Sequence, residues 1–253
     1  HSTYPSVRIC ATTSKPLVTR TPRRIQLDHP SLAKLDVPTS PPPANSITSQ
    51  LWEACYSLAQ DALNSPYIQG IANGTLPPCN YGQYTVQDAA YCVRAEQDYR
   101  LVEARAKKHH EDVLAAFAQA RYESYLSYTD SIMKAWHIKD ILAINPNDAV
   151  KAYVAHEHYV AEFMEPIYGV VAMIPCDRLW SWLAETLSPD NVPNNLYDFW
   201  ISDNQGWSGT YSLENFVNSW FAAHPKQYEW ESALKAYRGS MLGEVGDFRA
   251  ALE

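Results

Sequence analysis

From Ser46 onward apolar side chains recur every three or four residues, the pattern of helices that each bury one face. Near the C-terminus Trp230, Leu234, Tyr237, Met241, Phe248 and Leu252 make such a stripe, and Glu244 interrupts it. A second stripe, Tyr84, Asp88, Tyr91, Ala95 and Val102, carries Asp88. A third, Ala149, Tyr153, His156, Val160, Phe163 and Ile167, carries Tyr153 and His156. Cys176 follows in the apolar run Val170 to Trp180. Burying an ionised group is costly unless a partner or ligand compensates it. Polar groups aimed inward from four separated helices therefore predict one enclosed polar pocket.

The same periodicity and the turn residues set the elements. Ser46 or Thr48 caps a helix running to about Asn64; Pro66 opens a short helix that Gly74 ends. Long helices are predicted from about Gly82 to Ala106 and from His110 to Trp136. Asn145-Pro146-Asn147-Asp148 caps another that continues to about Leu187 with kinks at Pro166 and Pro175. Shorter helices fall near Asn195 to Ser202 and Ser212 to Ala222, and the last runs from Gln227 to Leu252. Alternating β patterns are nearly absent and glycine is rare, so the class is all-α.

Residues 1–46 depart from this pattern and are read as a separate arm; 47–253 form one domain. The arm holds nearly half of the 17 prolines, many Ser and Thr, and a basic bias before the first acid, Asp28. Such a segment cannot build a core of its own; a targeting segment would look similar. If ordered, it is expected to lie against its own body or cross to a neighbouring subunit.

Composition narrows the function classes. A formal charge of −8 without a basic block argues against nucleic acid as a partner, and no apolar run is long enough to span a membrane. The chain has 17 Tyr and 8 Trp, side chains that line pockets while keeping a polar tip. Cys10, Cys55, Cys79, Cys92 and Cys176 show no CxxC pair and read as reduced thiols of a cytoplasmic protein. Asn73-Gly74-Thr75 is a glycosylation sequon only in a secreted protein.

Cys176 is the candidate nucleophile; Pro175 before it removes a backbone donor and opens space at the thiol. A core filler is the competing account, and Cys55 and Cys92 are assigned to it. Glu244 and Asp88 are candidates for acid/base and anchoring roles, because two carboxylates in one pocket push their proton affinities apart. Pairing with a buried Arg or Tyr explains them equally well. Tyr91 and Tyr153 can donate hydrogen bonds, stack on a ring, or merely pack. His109-His110-Glu111 and His156-Glu157-His158 look ligand-rich, but adjacent helical residues diverge by about 100° and do not meet at one ion. No metal and no cofactor are expected: HExxH, a phosphate-cradling Gly loop and a GxSxG elbow are all absent.

Three stretches carry a family resemblance. Ser65-Pro66-Tyr67-Ile68-Gln69-Gly70-Ile71-Ala72-Asn73-Gly74-Thr75-Leu76-Pro77 resembles the "HPFVQGLADGTLP" segment of the TenA/thiaminase II family. Tyr84-Thr85-Val86-Gln87-Asp88-Ala89-Ala90-Tyr91 resembles its "YxxQDxxY", and Ala172-Met173-Ile174-Pro175-Cys176 its "ALLPC". The resemblance covers roughly residues 49–250 and implies a haem-oxygenase-like helical bundle assembled as a dimer or tetramer. It also implies that Asp88 and Tyr91 bind an aminopyrimidine, that Cys176 adds to the ring, and that Glu244 moves a proton to the leaving amine. Tyr153 matches a further pocket tyrosine.

The departures fall around the same pocket. After Cys176 the family's "YWxY" is replaced by Asp177-Arg178-Leu179-Trp180, which sets a charged pair beside the thiol and Trp180 where Tyr is expected. Asn204 stands where the family has Tyr, and Asp247-Phe248 where it has "FW". Trp180, Asn204, Asp247 and Phe248 are therefore candidate substrate contacts. Three functions remain open: C–N hydrolysis of an aminopyrimidine or related heterocycle in thiamin salvage, a repurposed enzyme acting on another small organic substrate, and a noncatalytic small-molecule binder.

Overall fold

The computed structural model describes residues 35–253. Among them all regular structure is helical: α1 (Ile47–Ala54), α2 (Tyr56–Leu63), α3 (Pro66–Asn73), α4 (Pro78–Lys108), α5 (Asp112–Ala135), α6 (Asp148–Phe163), α7 (Pro166–Leu187), α8 (Asp198–Asp203), α9 (Ser208–Ala223) and α10 (Trp230–Ala250). Single 3-10 turns lie at Ile141–Ala143, Ser188–Asp190 and Pro225–Gln227. The all-α expectation holds, and no helix among the described residues is long and apolar enough to cross a membrane.

Local chemistry sets most boundaries. Ser46 caps α1 by accepting from the Ser49 amide, and Ser65 caps α3 ahead of Pro66. Gly74 ends α3 at φ 68°, the left-handed region where a side chain is strained. Asn147 caps α6 through the Val150 amide. Two predicted helices are broken. The one expected from Ser46 to Asn64 divides at Cys55, whose φ is −108°. The one expected to run through Pro166 ends at Phe163, because Met164 and Glu165 turn extended (ψ 168° and 141°). A residue before proline avoids the helical region, and proline favours the first helical position, so Pro166 starts α7 rather than kinking α6. Pro175, by contrast, lies inside an uninterrupted α7.

Helix α7 is buried on nearly every side and packs against α4, α6, α9 and α10. Such a helix belongs at the centre of a bundle. Helix α10 crosses α6 closely at two glycines. A Cβ on Gly239 would lie 2.0 Å from the His156 ring, and one on Gly243 would lie 2.3 Å from the Tyr153 ring. The buried face of α6 is rotated from the predicted stripe: Val150, Tyr153, Glu157, Val160 and Ala161 face inward, while Phe163 is 67% exposed.

Residues 1–34 of the expected arm, and with them any crossing to a second subunit, lie outside the described residues. Residues 35–46 rest on their own chain, where Asn215 donates from Nδ2 to the carbonyls of Pro38 (3.0 Å) and Ser40 (2.8 Å). The expectation of five reduced cysteines is corrected at Cys79, which is disulfide-bonded. Cys55, Cys92 and Cys176 are buried thiols.

One buried acid makes the α4–α5 contact pH-sensitive. Thr129 Oγ1 lies 3.0 Å from Glu96 Oε2 and 2.9 Å from the Tyr125 carbonyl, two acceptors for one hydroxyl proton. The conflict disappears when Glu96 carries its own proton and donates to Thr129. Burial pushes the Glu96 carboxyl up to about 7 against the lowering effect of Thr129. The folded state then binds more protons than the unfolded chain between the ordinary carboxylate range and pH 7, so this group's contribution to stability falls as pH rises through that window. Glu96→Gln should melt like the wild type at pH 5 and above it at pH 8, as thermal denaturation by circular dichroism would show.

Candidate active site

Cys176 sits on α7 one position after Pro175, with no exposed surface. Its Sγ lies 3.1 Å from the Met173 carbonyl, 3.4 Å from Asp177 Oδ1 and 3.0 Å from the Tyr125 hydroxyl of α5. The single thiol proton serves one oxygen acceptor at a time, leaving the Tyr125 O–H to donate to sulfur.

Glu244, on α10, is likewise fully buried. The Tyr153 hydroxyl donates to Oε1 at 3.0 Å and the Trp180 indole N–H to Oε2 at 3.1 Å. Asp88, on α4, accepts from the Tyr128 hydroxyl at 3.3 Å. Tyr91, one turn beyond Asp88, packs against Tyr153 with ring centroids 4.4 Å apart and the planes tilted by 34°. Its hydroxyl donates to Glu157 (2.9 and 3.0 Å). Burial, then the facing Glu157 carboxylate, hold that hydroxyl well above the ordinary tyrosine range, so it stays a donor.

A small cavity of about 10 Å³ lies beside these groups, bounded by Asp88, Trp180, Asn204, Tyr67, Tyr84 and Trp200 among others. That is room for about one water molecule. The aromatic rings close on one another instead: Phe248 stacks at 5.6 Å on both Tyr67 and Tyr84, and Trp180 lies 5.3 Å from Trp200. A groove of about 830 Å³ opens outside, and Tyr84 and Asp88 line both spaces. They form the partition between them.

Of the residues expected from sequence, Asp88, Trp180 and Asn204 line the inner cavity. Cys176, Glu244, Tyr91 and Tyr153 form the buried hydrogen-bonded and stacked layer next to it and do not border it; Glu244 is joined to it through Trp180. Phe248 packs on the cavity's aromatic wall, whereas Asp247 borders the outer groove. The charged pair expected beside the thiol is not a pair. Asp177 meets Arg121 of α5 at 2.8 Å, and Arg178 meets Glu214 of α9 at 3.0 Å. Successive helical residues point about 100° apart, which sends them to different neighbours.

Sequence reasoning passed over Glu157, which takes the Tyr91 hydroxyl, because the third stripe was drawn through His156. It also passed over Tyr125, Tyr128 and Tyr67. For Tyr67 a signal existed, since a hydroxyl stands where the quoted family segment has Phe. The helical divergence applied to the histidine clusters does not govern His109 and Glu111, which lie in the turn between α4 and α5. With Glu165 they bring ligand atoms within 4.8 Å of one another on the outer surface.

Comparison with known proteins fits this architecture. A TenA homologue from P. horikoshii OT3 superposes with a TM-score of 0.68 over 81% of this chain and 98% of its own, at 17% identity. The aminopyrimidine aminohydrolase of Bacillus subtilis is 24% identical over 176 residues, 68% of this chain and 72% of that protein. The thiamine biosynthesis multifunctional protein ThiED of Corynebacterium efficiens is 25% identical over 201 residues, 78% of this chain; the match spans only 24% of that longer protein. The model of the TENA/THI-4/PQQC family matches residues 52–214. These residues hold α2 to α8, Asp88, Cys176 and Asn204, and the chain belongs to the TENA/THI-4/PQQC family.

Proposed function

We propose that the chain is a hydrolase that cleaves the exocyclic C–N bond of an aminomethyl-substituted aminopyrimidine. The observation that carries this is a thiol, two carboxylates and several tyrosine hydroxyls that are all buried, each carboxylate and the thiol held by a tyrosine hydroxyl. Similarity to the Bacillus subtilis aminopyrimidine aminohydrolase supports the substrate class.

The roles follow from the contacts. Asp88, oriented by Tyr128, anchors the ring's amino edge. Cys176 passes its proton to Asp177 Oδ1 and its sulfur adds to a ring carbon; the displaced π pair moves onto a ring nitrogen, and Tyr125 keeps its hydrogen bond to the sulfur. Glu244, held by Tyr153 and Trp180, supplies the proton to the leaving nitrogen as the electron pair returns and the C–N bond breaks. Water adds at the emptied carbon and gives a proton back to Glu244, and the sulfur leaves with its bonding pair, restoring the aromatic ring and regaining its proton from Asp177. The balance is one aminomethyl group and one water consumed, one hydroxymethyl group and one ammonia formed.

A pyrimidine does not fit within about 10 Å³, so the ring displaces part of the aromatic wall on entry. The shared border at Tyr84 makes the outer groove the route. Incubation with 4-amino-5-aminomethyl-2-methylpyrimidine should release ammonia and the hydroxymethyl product in equal amounts, measured by coupled ammonia assay and chromatography. Absence of both products from this compound and from its 2-oxo counterpart rejects the hydrolase.

A further inference from the structure

The inner cavity has two polar atoms that no protein group answers. The Tyr67 hydroxyl has no hydrogen-bond partner and Tyr67 has no exposed surface; the Asn204 side-chain oxygen has none and Asn204 is 3% exposed. Both residues border the cavity beside Asp88. The orientation of the Asn204 amide is set by its own contact: Nδ2 lies 2.8 Å from the Trp200 carbonyl and must be the donor, so Oδ1 is the atom left over. Burial, then Tyr81 and Asp88, hold the Tyr67 hydroxyl well above the ordinary tyrosine range and keep its proton in place. The cavity thus presents a fixed acceptor at Asn204 and a donor at Tyr67, in addition to the Asp88 carboxylate.

A buried polar atom left unanswered by a bound ligand weakens binding, whereas one matched by the ligand rejects analogues that lack the match. A ring whose edge toward these atoms is a methyl group would bury both without partners. A lactam edge, a ring C=O beside a ring N–H, supplies one acceptor and one donor. We infer that Tyr67 and Asn204 are specificity-determining contacts that select an oxo-substituted, cytosine-like aminopyrimidine over its methyl-substituted counterpart. The inference rests on the hydrolase reading and narrows its substrate class. The ring C=O accepts from Tyr67, the ring N–H donates to Asn204, and the exocyclic amino group donates to Asp88.

Two probes isolate this edge: 5-(aminomethyl)cytosine, and 4-amino-5-aminomethyl-2-methylpyrimidine, which carries the same amino and aminomethyl groups. Calorimetric binding and ammonia release are measured for the wild type, Tyr67→Phe and Asn204→Leu. The wild type should favour the cytosine probe in kcat/KM by at least about tenfold, the effect of one matched buried hydrogen bond. Tyr67→Phe should lower that ratio by about tenfold by weakening the cytosine probe alone. Its melting temperature should match or exceed that of the wild type, because the hydroxyl removed has no partner to lose. Asn204→Leu checks the acceptor through the same ratio, with a lower melting temperature expected because Nδ2 no longer meets the Trp200 carbonyl.

Equal use of both probes by the wild type, or an unchanged ratio in Tyr67→Phe, overturns the inference while leaving the hydrolase intact. A lower melting temperature in Tyr67→Phe with an unchanged ratio assigns the hydroxyl to the fold and also overturns it. If neither probe binds or reacts, both the inference and the hydrolase reading fall.

Discussion

Cys176→Ala is expected to lower ammonia release by at least about a thousandfold while the protein keeps its helical content. The variant removes the atom that forms the covalent bond in the proposed reaction, and the remaining groups offer no substitute: Tyr125 and Asp177 contact the sulfur, and neither stands in for it. Binding of the pyrimidine should persist, since Asp88 and the aromatic wall are untouched. Cys55→Ala is the control. Burial pushes the Cys55 thiol up to about 11, which keeps it protonated and unreactive. Its replacement should leave turnover within about twofold of the wild type. Single-turnover assays with both variants would reject the nucleophile assignment if Cys176→Ala stayed within tenfold of the wild type.

The largest effect on stability is expected from Arg121→Met. Arg121 is 2% exposed and meets Asp177, itself 1% exposed, at 2.8 Å. Burial opposes the guanidinium charge most strongly, but the Asp177 carboxylate together with Tyr99 and Tyr125 outweighs it, so the arginine is held even above its ordinary range. Taking the cation away leaves a carboxylate stranded in the core, which costs about 3–5 kcal/mol. Urea denaturation should therefore move to much lower midpoints. Replacing both partners, Arg121→Met with Asp177→Leu, removes the stranded charge as well and should recover most of that loss, as buried pairs exchanged for hydrocarbon commonly do. A double variant no more stable than Arg121→Met would show that the pair acts mainly through the packing of the long arginine side chain. Asp177 directly follows Cys176, so the pair also fixes the turn of α7 that carries the thiol.

Much of the fold was legible because helix signals are local. The Ser46 cap, Pro66, Gly74 and the Asn147 cap each act within one turn, and each marks the boundary read from it. The break at Pro166 was visible as a proline, yet the choice between a kink and a new helix depended on Met164 and Glu165 turning extended. Buried charge on a periodic stripe found Asp88 and Glu244, since a carboxylate there has few explanations. It missed Glu157 because the choice between two adjacent inward positions depends on the rotation of α6 against α10, which the chain's own period does not contain. Partners across helices were not readable at all. Nothing near Asp177 in sequence points to Arg121, and nothing near Cys176 points to Tyr125. The closed state of the cavity also depends on how Tyr67, Tyr84, Trp180 and Phe248 fill one another's space, a property of all four together.

Gly239 and Gly243 bring the backbone of α10 directly onto the imidazole of His156 and the phenol of Tyr153. Contact this tight leaves no slack for sliding or rotation between α6 and α10. Glu244 and the Tyr153 hydroxyl that donates to it are thereby set in a rigid frame, and in the proposed reaction adaptation to an incoming ring falls to side-chain torsions on the opposite wall.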